Sequence, residues 1–167
     1  IGRSKLMGKE TIERKGNELK LILNEQYVSQ QITLMESSIE KAPHISIGLA
    51  KELIETCCKS IFEERSQNYD KNWDLTKLMK ETTKLLKLTP EDIPNEIKAS
   101  TSIKQILGSL CSVVQGIGEI RNEYGSGHGK AGKFKGLQPR HAKLAVGSAS
   151  TLAIYLLETH QLKLENA

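Results

Sequence analysis

The sequence predicts an all-α protein, an up-and-down bundle of about five helices, on three observations. Apolar residues recur at spacings of three and four along most of the chain. No segment alternates apolar and polar residues at period two for long enough to demand a strand. Prolines and polar turn residues divide the periodic stretches from one another. Aromatic residues are only 4% of the chain, so Leu, Ile and Ala must fill the core. The 167 residues suit one domain with a sizeable core.

The elements follow in order. Residues 1–16, rich in Lys, Arg, Glu and Gly, read as a flexible arm or linker, and residues 17–167 as the helical domain. A first amphipathic helix is expected over 17–41, with Leu19, Ile22, Leu23, Ile32, Met35 and Ile39 on one face, ending before Pro43. A second over 46–65 carries Leu49, Ala50, Leu53, Ile54, Cys57, Cys58, Ile61 and Phe62 on a broad face, with Glu52 and Glu55 opposite it or at its edge. Residues 66–73 are turn material, in which Trp73 reads as a packing anchor. Asp74 then caps a third helix to about Leu88. A long helix over 102–122 presents Ile103, Ile106, Leu107, Leu110, Val113, Val114, Ile117 and Ile120. Its glycines, Gly108, Gly116 and Gly118, are expected to admit a closely packed neighbouring backbone, since each costs roughly 1 kcal/mol of helix propensity. The last helix opens at Pro139, a favoured first-turn residue, and runs to about His160 along a seam of Ala142, Ala145, Ala149 and Ala153 widening to leucines.

Composition narrows the function. A net charge of +4 and a pI near 8.9 are mildly basic, short of a dedicated nucleic-acid coat. Cys57, Cys58 and Cys111 show no metal or disulfide spacing and read as buried free thiols of a reducing, cytoplasmic compartment. No apolar run reaches the ~20 residues that span a bilayer, no signal peptide is evident, and no membrane partner is expected. A chain starting at Ile1 rather than Met suits a piece of a longer protein with further domains.

Chemistry concentrates after the long helix. Residues 124–138 hold Gly125, Gly127, Gly129, Gly132 and Gly136, with His128 among them. From Gly129 to Lys143 stand Lys130, Lys133, Lys135, Arg140 and Lys143 with no carboxylate, either a solvated basic loop or an anion-binding surface. A P-loop is excluded: Gly125 and Gly129 are one residue too close, Ala131 replaces the hydroxyl residue, and no strand precedes. Zinc lacks its paired ligands, because His128 and His141 have no cysteine nearby. A serine nucleophile lacks its strand and elbow. Arg121, Asn122 and His128 remain. They suit metal-independent RNA cleavage, with no cofactor: histidine moves the 2′-hydroxyl proton, arginine clamps the phosphate, and asparagine orients a phosphate oxygen or the ring. Lys130, Lys133, Lys135 and Arg140 would hold an RNA backbone, and His141 would line the same cleft. A plain mobile connector fits the same letters. Of the other histidines, His44 reads as a helix-start residue and His160 as a helix-end residue facing the dipole.

The order Arg121-Asn122, then His128, resembles the R-N-x(4–6)-H signature of the HEPN superfamily, helical domains common in RNases of prokaryotic defence and toxin systems. The wider chain, roughly residues 43–160, resembles the C-terminal domain of abortive-infection proteins through IGLAKELIETCCKSI, GIGEIRNEYGSGHG and RHAKLAVGSASTLAIYLLET. The resemblance implies a homodimer in which two Arg-His motifs share one cleft, and endoribonuclease activity without metal. Arg121, Asn122 and His128 match its motif, and Glu52 or Glu55 matches the carboxylate often borne on the second bundle helix. The resemblance also admits non-catalytic modules that bind RNA or a partner, or only dimerise. Lys130 stands where the nucleotidyltransferase-modified toxin branch has tyrosine, which argues against that regulation.

Overall fold

The computed structural model describes residues 10–15, 26–88, 100–124 and 136–165, and among these there is no strand. Five helices carry the fold: α1 Gln26–Ser37, α2 Pro43–Glu64, α3 Leu75–Leu85, α4 Ser100–Tyr124 and α5 Pro139–Glu165. Residues 10–15, within the stretch read as an arm, are helical, and Ile12 is buried in the core.

The central helix is α2, which packs against each of the other four. Its buried face runs from Ile47 through Ala50, Leu53, Ile54, Cys57, Cys58 and Ile61, the period-3.6 stripe of a helix covered along its length. Its most extensive partner is α5, whose Ala142, Ala145, Ala149 and Ala153 are fully buried. Side chains this short let two helix axes come close, so that α2 and α5 can bury their facing stripes with few aromatic residues. Phe62 closes one end, with Tyr69 and Trp73 in edge-to-face contact at 5.9 and 6.0 Å and Lys77 over the indole. Trp73 is thus the packing anchor expected of it.

Helix directions follow from side-chain contacts. Ser46 of α2 donates to the Met35 carbonyl of α1 and Gln31 of α1 reaches Glu52 of α2, so these two run antiparallel. The direction of α5 is different. At one end Lys143 pairs with Glu40 at 3.1 Å, just before α2; at the other His160 meets Glu64 and Arg65. Helix α5 therefore lies parallel to α2, which the intervening α3 and α4 make possible as a crossover.

Several boundaries and roles differ from the sequence reading. The first helix ends before Pro43, as expected, but the second opens at Pro43 rather than at about residue 46, since a first-turn residue needs no N–H partner. Asp74 caps α3 as expected, its carboxylate accepting from the Lys77 N–H at 2.7 Å. Helices α2 and α3 both end in a Schellman turn built without glycine. Ser66 and Lys87 take φ of 53° and 55°, and the Gln67 and Leu88 N–H groups reach back to Phe62 and Thr83. The close-approach explanation of the α4 glycines is overturned: a Cβ at Gly108, Gly116 or Gly118 would meet nothing within 4 Å. Cysteines 57 and 58 are buried, and burial pushes both thiols well above their ordinary range. Cys111 is exposed, contrary to expectation, because it lies off the buried stripe of α4.

His160 is not a helix-end residue, because α5 continues to Glu165. Its ring is 2% exposed and tied on both sides. Nδ1 accepts from the Arg65 Nε–H at 2.9 Å, which leaves the proton on Nε2 for donation to Glu64 at 2.7 Å.

Candidate functional site

Helix α4 supplies the first part of the candidate site. Arg121 and Asn122 fall in its last turn, and Asn122 and Glu123 are exposed. The buried stripe of α4 consists of Leu107, Val114 and Ile117, with Leu110 and Ile120 partly buried beside it. That stripe fixes the helix on α2 and α3, and its last members, Ile117 and Ile120, anchor the helix immediately before the terminal turn. Glu119 takes a hydrogen bond from Gln115 at 3.2 Å within the helix.

The first turn of α5 supplies the second part. Gln138 offers its carbonyl to the His141 and Ala142 N–H groups, and His141 returns the bond, its Nδ1 accepting from the Gln138 N–H at 3.1 Å. The second bond is the N3-to-N-cap half of a capping box, with histidine in the place usually taken by Glu or Gln; the other bond is made by the Gln138 backbone carbonyl rather than its side chain. The His141 Nδ1 is thereby committed to the helix start, the proton sits on Nε2, and the ring is only half-buried. Arg140 is exposed in the same turn. Lys143 is drawn off to Glu40, so the basic run is neutralised at that end by a carboxylate distant in sequence.

His128, Lys130, Lys133 and Lys135 lie outside the described residues. The two carboxylates matched to the site have partners of their own: Glu52 accepts from Gln31 at 3.2 Å, and Glu55 pairs with Lys51 at 3.6 Å. Neither contact involves α4. The polar network absent from the sequence reading is Arg65–His160–Glu64, whose histidine lies 95 and 96 residues from the other two and leaves no local pattern to find.

An all-α bundle in which one helix ends on an Arg-Asn pair and the next opens on Arg-His defines a class rather than a single activity. The Abi_C family model, that of a HEPN-like domain, matches residues 25–160, which include all five helices up to His160. The chain belongs to this family of HEPN-like domains. No curated protein and no solved structure matches it.

Proposed function

We propose that this chain is a metal-independent endoribonuclease domain of a prokaryotic antiphage, abortive-infection effector, acting in the cytoplasm as a homodimer. The observation that carries the reading is family membership together with the place of Arg121-Asn122 in the last turn of α4, where Asn122 is exposed. His128 is assigned as the general base that takes the proton of a ribose 2′-hydroxyl. The 2′-oxygen then bonds to phosphorus, the bond to the 5′-oxygen breaks, and a proton returned through imidazole completes the leaving hydroxyl. The products are a 2′,3′-cyclic phosphate and a 5′-hydroxyl. Arg121 neutralises charge that grows on the phosphoryl oxygens, and Asn122 orients one of them. Lys130, Lys133, Lys135 and Arg140 hold the RNA backbone, with His141 Nε2 beside them.

The test is cleavage of single-stranded RNA in EDTA. His128→Ala is expected to lose about 10²–10⁴-fold in rate, the range of one acid–base group. Binding without cleavage under any condition would assign the chain to the alternative, a non-catalytic RNA-binding or dimerisation module of a larger defence protein.

A further inference from the structure

Between α3 and α4 the bundle leaves an open groove of about 510 Å³, a size typical of small-molecule sites. It does not include the Arg121-Asn122 turn of α4. The lining residue nearest that end of α4 is Val114, seven residues before Arg121 and so about 10 Å along the helix. The floor is apolar, made by Met79 and Leu88 on one side and Leu107 and Val114 on the other.

Among the described residues the rim carries one sign of charge. Lys80 and Lys84 stand along the α3 edge, both exposed, and no carboxylate among the described residues lines the groove. Around them, residues 75–88 hold Lys77, Lys80, Lys84 and Lys87 against the single carboxylate of Glu81. Glu81 is taken up by Lys77 at 2.8 Å and Lys84 at 3.7 Å, and Lys80 makes no ion pair among the described residues. On the opposite wall Gly108 contributes no side chain, and a Cβ there would project into open space.

An apolar trough with a cationic edge complements a molecule that is apolar along its length and anionic at one end. We infer that this groove binds a single-chain anionic amphiphile, an acyl chain lying over Leu107 and Val114 with its carboxylate paired to Lys80 and Lys84. The missing side chain at Gly108 is what leaves room for the chain.

Cys111 lines the groove and is the exposed thiol, whereas Cys57 and Cys58 are buried. Alkylation of the native chain by iodoacetamide, followed by mass spectrometry, therefore reads the groove at one position. Dodecanoate below its micelle-forming concentration is expected to slow Cys111 alkylation by roughly five-fold or more at saturation, since a pocket covers most of its ligand's surface. Gly108→Leu, whose side chain would occupy the groove from a position where a Cβ meets nothing within 4 Å, should abolish that protection, and Gly108→Ala should keep it. Replacing Lys80 and Lys84 together by Gln should raise the dodecanoate concentration for half-protection by about five-fold, the effect of two exposed ion pairs. Circular dichroism establishes that each variant is folded before it is scored. No protection in the parent would overturn the inference. So would undiminished protection in Gly108→Leu, or dodecanol protecting as well as dodecanoate.

Discussion

At the scale of single residues, the side chain that holds most and was least visible is His160. Read along the sequence it is a polar residue near the end of a helix, for which solvent and the helix dipole are sufficient explanation. In the fold it is buried and ties the end of α2 to α5 through Arg65 and Glu64. His160→Ala would leave the Arg65 Nε–H without its acceptor and open a cavity. The expected loss is about 2–4 kcal/mol of unfolding free energy in a urea titration. A loss below ~0.5 kcal/mol, ordinary for a surface site, would remove the network from the account. His141 was legible only in part. Its place in a first turn was evident, but its capping bond to Gln138 depends on a rotamer that no pattern specifies. Arg121 and Asn122 were legible because their signal is local: two adjacent polar residues closing an apolar stripe.

Helices were legible to the extent that their start signals are chemical. Asp74 and Pro139 announce α3 and α5 because a carboxylate satisfies first-turn N–H groups and proline needs no partner there. The stops were harder to read, since glycine is the usual residue of a left-handed helix end, and here Ser66 and Lys87 occupy those positions. A side chain in this region costs roughly 1 kcal/mol or more. Lys87→Gly is therefore expected to raise stability by about 0.5–1 kcal/mol, read as a shift in urea midpoint with unchanged slope. Destabilisation would mean that the Lys87 side chain has a role beyond the turn. The α4 glycines make the converse case. Sequence logic assigns glycine in a helix to close packing, yet open space surrounds Gly116. Gly116→Ala should stabilise the chain by up to ~1 kcal/mol through helix propensity alone. A loss of stability would show that something does pack there.

For the whole molecule, composition dictated the architecture more firmly than any one motif. A chain with few aromatics must build its core from aliphatic stripes, and the alanine seam of α5 sets how near α2 can lie. Ala149 is fully buried in that seam. Ala149→Leu is expected to cost about 1–3 kcal/mol by overpacking, measured by denaturation. A neutral result would mean that the two helices are free to separate. The helix periods could not reveal that α5 lies parallel to α2, because direction depends on what the connections do rather than on which faces are apolar. The same division applies to function. The Arg-Asn end of α4 is carried by residues close together in the chain, whereas the family match extends over residues 25–160. Dimerisation and a meeting of Arg121 with His128 belong to the proposed function, and local spacing does not decide either.

The most direct test of the central claim is the rate at which the purified chain cleaves single-stranded RNA in the presence of EDTA, with 3′ ends analysed. A metal-independent ribonuclease predicts cleavage that leaves 2′,3′-cyclic phosphate ends and falls at least about a hundred-fold in both His128→Ala and Arg121→Ala. Cleavage at parental rate in both variants, or activity that disappears with the metal, would contradict it.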